Sequence, residues 1–151
     1  MERISERLAS NDLIGLDTSI FIYHFESNPK YIQITNEILT CIESGETQAI
    51  TSVLTIMELS VRPWQLGKGH IARKYEALLS HFPNLQIIDI DREIGRWAAR
   101  LRAEFNLSPP DALHLATCIT NGASAFISND RLLKRVNGIL EIFILDDFLS
   151  P

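Results

Sequence analysis

The stretch LSPPDALHLATCITNGASAFISND, residues 107–130, compresses a helix and a strand into one short run. Ser108 reads as a helix cap, and Pro109 and Pro110 fall where a helix tolerates proline at no cost in hydrogen bonds. An apolar pattern of helical period follows, and Gly122 stands just beyond its end as a stop. SAFIS is then a strand. A carboxylate marks each end of this unit, Asp111 at the start of the helix and Asp130 after the strand. Helix and turn chemistry accounts for each acid alone. Brought together in space, the two carboxylates suit a metal ion.

Outward from this unit, helices and strands alternate. Leu13–Leu16 is a short apolar strand ending at Asp17, and TSIFIYHF starts a short helix. NPKYIQITNEILTCIESG places Ile34, Ile38, Leu39 and Ile42 at helical spacing, with Gly45 as the stop. TQAITS is a strand, and SVLTIMELSVRP a helix expected to close near Pro63. GKGHIARKYEALLSHFP is helical, with Ile71, Tyr75, Leu78 and Leu79 on one side. LQIIDI is a strand, and DREIGRWAARLRAEFN a helix expected to turn Ile94, Trp97, Ala98 and Leu101 inward. LEIFIL is the last strand. Such alternation predicts an α/β fold with a mainly parallel central sheet and helices on both faces. Strands that are apolar at consecutive positions fit a sheet covered on both sides.

The chain has 151 residues, 46% of them hydrophobic, which suits a single domain spanning 1–151. The net charge of -5 argues against a protein that coats nucleic acid through bulk charge, and leaves local phosphate contacts open. Cys41 and Cys118 lie in apolar helical stretches without metal-ligand spacing, which fits core packing in a reducing cytoplasm. The opening MERISERLASND lacks the apolar centre of a signal peptide, and no run approaches the ~20 apolar residues of a membrane span. A cytoplasmic protein with no membrane partner is expected.

In open α/β sheets ligands bind beyond the carboxyl ends of the strands. Asp17, Asn129 and Asp130 follow strands, while Glu58 and Asp111 lie on helices able to reach the same end. Asp17 has the alternative role of an N-cap. Glu58 sits among Leu54, Ile56 and Met57, where a carboxylate is costly unless paired or bound to a metal. Its alternative is an ion pair with Arg62 at i+4, worth a few tenths of a kcal/mol.

The segments LIGLDTSIFIYHFE, TSVLTIMELSVRP, the long stretch above and LEIFILDD, in this order, resemble the PIN-domain ribonucleases, which include the VapC toxins of toxin–antitoxin pairs. With the helices between them, these segments span nearly the whole chain. The resemblance implies that Asp17, Glu58, Asp111 and Asp130 cluster as catalytic residues and ligands of Mg²⁺ or Mn²⁺. It gives supporting roles to Ser19, where asparagine is frequent, and to Asn129; Ser128 stands where threonine is frequent. It also implies an endoribonuclease leaving a 5′-phosphate and a 3′-hydroxyl, a homodimer, and an antitoxin threaded over the active site.

The chemistry is coherent. Clustered carboxylates repel one another, and a divalent cation with oxygen ligands relieves that repulsion. The metal activates water and polarises the phosphoryl group, and two metals about 3.5–4 Å apart serve both the attacking and leaving oxygens. No cysteine or serine nucleophile is required. Arg131, Lys134 and Arg135 are candidates to neutralise RNA phosphates, against the alternative of a solvated face, which is also the reading of Arg92, Arg96 and Arg100. His114, one helical turn after Asp111, suits a stabilising contact, and Trp64 and Trp97 suit core or subunit packing. Rival readings are a non-catalytic PIN-fold module that binds RNA or protein, and a standalone RNA-processing nuclease. A haloacid-dehalogenase-type phosphohydrolase needs a second aspartate where Ser19 stands, and a receiver domain needs a lysine after a late strand.

Overall fold

The computed structural model describes residues 2–150; Met1 and Pro151 lie outside the described residues. Five strands form one sheet: β1 (Leu13–Leu16), β2 (Gln48–Ser52), β3 (Leu85–Ile88), β4 (Ala125–Ser128) and β5 (Glu141–Ile144). Their order is β3-β2-β1-β4-β5, and every ladder is parallel, a purer arrangement than the mainly parallel sheet expected. The chain runs outward from β1 to β3, then returns to place β4 beside β1. The order therefore reverses between β1 and β4, where α/β sheets open a crevice for ligands.

The helices are α1 (Ile4–Ala9), α2 (Thr18–Phe25), α3 (Ile32–Glu43), α4 (Leu54–Gln65), α5 (Gly69–Ser80), α6 (Arg92–Phe105) and α7 (Pro109–Thr120). Short 3₁₀ turns follow β4 and β5, at Arg131–Val136 and Leu145–Phe148. Alternate strand residues enter two separate cores, as a two-faced sheet requires. Ile14, Leu16, Ala125, Ile127 and Phe143 pack with α1, α2 and α3. Phe126, Ile142 and Ile144 pack with α6 and α7 on the opposite face. Gly15 belongs to this second face, and its missing side chain makes room for Cys118 and Phe126.

Several local expectations change. The polar opening contains α1, whose Ile4 and Leu8 are buried one turn apart. Pro63 does not close α4, which runs on to Gln65. Pro63 has no amide hydrogen to give the Leu59 carbonyl, so α4 lacks that one backbone bond, yet the ladder continues past it, with the Leu66 amide donating to the Arg62 carbonyl at 3.1 Å. On α6, Ile94, Ala98 and Leu101 are buried, but Trp97 lies at the edge of that stripe under the Arg100 guanidinium, 4.4 Å from its ring centre. On α5 the buried line passes through Ala72 and Leu79, which leaves Leu78 exposed. Trp64 is also exposed, its ring against the bare backbone of Gly69. Cys41 and Cys118 are free and buried, as their apolar settings imply.

Candidate metal centre

β1 ends where its neighbour ends. The Asp17 amide donates to the Ile127 carbonyl at 2.9 Å, the last rung between β1 and β4. The Asp17 carboxylate then does two things. Its Oδ1 accepts the Thr18 amide at 2.8 Å and caps α2, and its Oδ2 accepts the Ser128 hydroxyl at 2.6 Å. Ser128 is fully buried, and its Oγ also accepts the Asp130 amide at 3.1 Å. One hydroxyl thus ties the Asp17 side chain to the turn carrying Asp130. Asp130 caps the following 3₁₀ turn by accepting the Leu132 amide at 3.0 Å. The capping role foreseen for Asp17 is real and leaves it at the crevice.

Glu58 reaches this point from α4. Its Oε1 accepts Nε2–H of His114 at 2.7 Å and the Thr18 hydroxyl at 2.9 Å. These two contacts stand in place of the alternative pairing with Arg62. His114 is 3% exposed and also lies 3.9 Å from Asp17 Oδ1. Asp111 stands one turn before it on α7, where the Ser108 hydroxyl accepts the Asp111 amide at 3.4 Å. The stabilising contact expected of His114 is therefore made, to an acid from a distant helix.

Burial raises the Asp17 pKa, the nearby Glu58 adds to this, and His114, Ser128 and Thr18 oppose it. Burial likewise raises Asp111, with Asp130 and Glu58 adding to the effect and Ser108 and His114 opposing it. Glu58 is lowered, chiefly by the His114 hydrogen bond, against the cost of its burial. For His114, burial disfavours the charge, but the bond to Glu58 and the fields of Asp17, Glu58 and Asp111 outweigh it and raise the pKa. Asp17, Glu58 and Asp111 thus share one electrostatic neighbourhood around a buried imidazole, and Asp130 joins it through Asp111.

Among the described residues, no group of three His, Cys, Asp or Glu side chains meets in metal-ligating geometry. Asp17 and Glu58 instead turn oxygens to Thr18, Ser128 and His114. Carboxylate oxygens are donors of the kind that Mg²⁺ and Mn²⁺ take, through one or two carboxylates and retained waters. They do not form a closed cage of protein ligands.

The remaining candidates separate. The Ser19 Oγ is buried without a hydrogen-bond partner. Asn129 directs its amide to Tyr31 Oη at 2.9 Å and Tyr23 Oη at 3.4 Å, and its carbonyl accepts the Asp146 amide at 3.1 Å. Arg131 and Lys134 pair with Asp147 at 2.6 and 3.7 Å, and Arg135 donates to the Phe105 carbonyl at 3.2 Å. Nothing in the sequence itself marks Thr18 or Ser128 as a partner of these acids. Only their neighbours Asp17 and Asp130 hinted at them.

Residues 14–139 match the sequence pattern of the PIN domain. The chain belongs to the PIN-domain family. The PIN fold here is similar to a toxin–antitoxin complex from Klebsiella pneumoniae, with 24% identity and a TM-score of 0.63 over 87% of this chain and 97% of that one. It is similar to VapBC2 from Rickettsia felis bound to a promoter DNA fragment, with 17% identity and a TM-score of 0.66 over 87% and 98%. DNA-bound VapBC from Salmonella typhimurium gives 20% identity and a TM-score of 0.64 over 89% and 98%. No protein of curated function matches the sequence. Among the described residues, no helix of this PIN domain is long and apolar enough to cross a membrane.

Proposed function

We propose that this PIN domain, a single domain over residues 1–151, is a Mg²⁺- or Mn²⁺-dependent endoribonuclease and the toxin of a toxin–antitoxin pair in the cytoplasm. The observation that carries the reading is the placement of Asp17 and Asp130 on one buried serine at the strand-order reversal, with Glu58 and Asp111 in their field. The chemistry that a divalent cation would supply, when bound, is polarisation of the scissile phosphoryl group and a lowered pKa for its water. Asp17, Asp111 and Asp130 would hold that cation directly or through water, with Glu58 in support. Thr18 and Ser128 fix the direction of Asp17, while Ser128 holds the backbone of Asp130. Pro109 and Pro110 set the entry of α7 and so aim Asp111. A positive charge here offsets the cost of ionising buried Asp17 and Asp111.

Three surfaces support the partners. An apolar groove of about 480 Å³ runs past Glu58 between α2, α4 and α5, lined by Ile22, Phe25, Leu59 and Ile71, and suits an antitoxin segment. Met57, Val61 and Trp64 are 53%, 47% and 59% exposed along one side of α4, and suit a homodimer. Arg131, Lys134 and Arg135 are exposed beside Asp130 and suit RNA phosphates, although Asp147 competes for the first two.

A second reading, a non-catalytic PIN-fold module, draws on the inward turn of the Asp17 and Glu58 oxygens. Incubating purified protein with RNA in Mn²⁺ or in EDTA separates the two. The nuclease reading expects cleavage in Mn²⁺ alone, with 5′-phosphate product ends. Intact RNA under both conditions supports the binding module.

A further inference from the structure

His114 and Thr18 use Glu58 in an unusual way. Both donate to the same oxygen, Oε1, at 2.7 and 2.9 Å. A carboxylate oxygen has two lone pairs in its plane, so Oε1 is saturated. Among the described residues no protein donor meets Oε2. Both donors are rigidly held. The His114 ring is 3% exposed and lies on a helix face packed between α6 and the sheet. Thr18 Oγ1 lies 3.0 Å from that of buried Thr55, which lies 2.7 Å from that of Thr51; Thr51 gives its proton to the Leu16 carbonyl at 3.0 Å, so the single Thr55 proton goes to one of its two neighbours, and the three hydroxyls hold Thr18 by close packing as much as by hydrogen bonds.

The other ring nitrogen fixes the tautomer. His114 Nδ1 is buried and has no partner. A proton placed on Nδ1 of the neutral ring would leave a buried donor unsatisfied, and would set the Nε2 lone pair against Oε1 at 2.7 Å. The neutral ring therefore carries its proton on Nε2, facing Glu58.

From this geometry we infer that His114 is a positioning residue that, with Thr18, locks Glu58 so that it offers a cation one oxygen only, and that it thereby selects Mg²⁺ or Mn²⁺ over Ca²⁺. The inference rests on the metal-binding reading above. Mg²⁺ and Mn²⁺ accept octahedral sets built from single oxygens and water, whereas Ca²⁺ takes more ligands and favours bidentate carboxylates. Removing the imidazole frees Glu58 to turn both oxygens outward. Loss of an orienting partner of this kind weakens metal affinity by about 10–100-fold.

The test uses the full chain without RNA. Mn²⁺ binding is followed by electron paramagnetic resonance, with Ca²⁺ as competitor, for wild type, His114→Ala, Thr18→Val and His114→Gln. The expected result is Mn²⁺ affinity about 10–100-fold weaker in His114→Ala, a smaller loss of Ca²⁺ affinity, and recovery in His114→Gln, which restores an N–H near the Nε2 position. Thr18→Val, losing the other donor, shifts the Mn²⁺/Ca²⁺ ratio in the same direction. An unchanged ratio in variants that melt cooperatively overturns the inference while leaving the metal reading intact. Failure of the wild type to bind Mn²⁺ removes the metal reading itself, and the inference with it. A long-range ¹H–¹⁵N spectrum of the metal-free wild type supplies an arm that needs no variant to fold. It is expected to show the His114 proton on Nε2, and a neutral ring protonated on Nδ1 overturns the inference.

Discussion

Replacing Gly15 by alanine tests how closely β1 is pressed against α7 just before it delivers Asp17. An added Cβ would collide with Cys118 Sγ and lie 2.9 Å from Cδ1 of Phe126. Cys118 and Phe126 are 2% and 1% exposed, so neither has space to retreat. Gly15 is not in a left-handed conformation, so the effect is one of volume. Overpacking of this kind costs roughly 1–3 kcal/mol. The reduced freedom of the unfolded chain returns about 0.4–1 kcal/mol. A net loss of roughly 1–2 kcal/mol lowers the midpoint of a chain this long by about 2–8 °C. Urea and thermal denaturation followed by circular dichroism measure it. The double variant with Cys118→Ala supplies the rescue: deleting Sγ opens the space that the new methyl needs, so the two changes couple favourably by about 0.5–3 kcal/mol. A Gly15→Ala protein as stable as wild type, or strictly additive effects in the double variant, refutes the packing argument.

Tyr31→Phe removes a hydroxyl that donates to Asp146 at 2.8 Å and accepts from Asn129 at 2.9 Å, and is expected to cost about 1–2 kcal/mol in urea denaturation. Glu37 accepts the Ser5 amide at 3.2 Å and lies 3.3 Å from Arg3; burial opposes its charge, but these contacts win and hold its pKa below the ordinary 4.5. Its stabilisation is therefore present above that value and fades as pH falls through the lowered pKa. Glu37→Gln should then destabilise the protein at neutral pH and become nearly silent in strong acid, as read by urea midpoints across pH. Replacing Arg131, Lys134 and Arg135 together by alanine is expected to weaken RNA binding and to reduce the slope of log affinity against log salt by up to about 2, at roughly 0.7 per single-strand phosphate. An unchanged slope assigns the three residues to a solvated face.

The sequence made the sheet legible because its strands are short apolar runs with acids or turn residues at their ends, as Leu13–Leu16 before Asp17 and Ala125–Ser128 before Asn129 show. It made the edges of helices less legible. Ile4 and Leu8 alone announce α1 within a polar segment, and Leu78, Trp64 and Trp97 sit at stripe margins where an apolar residue does not settle burial. The partner of Glu58 was beyond reach. Arg62 lies within its own helix at a spacing that makes a contact easy to foresee. His114 is 56 residues away, and only the packing of α7 against the sheet brings its ring to Oε1. Asn129 illustrates the converse. Its place beside Asp130 suggests a role at the acids, and its side chain bonds Tyr31 and the Asp146 amide, contacts with distant segments that no local pattern announces.

The claim that one metal-binding unit cleaves RNA is tested most directly by converting each of Asp17, Glu58, Asp111 and Asp130 to its amide. The rate of Mn²⁺-dependent cleavage of a fluorescent RNA is then measured, with folding checked by thermal melts. Residues that act as a unit fail together, so every single amide variant is predicted to lose activity by at least about 100-fold, beyond the 10–100-fold typical of outer-shell changes. Wild-type rates in folded Asp17→Asn or Asp130→Asn, or cleavage that persists in EDTA, would contradict the account.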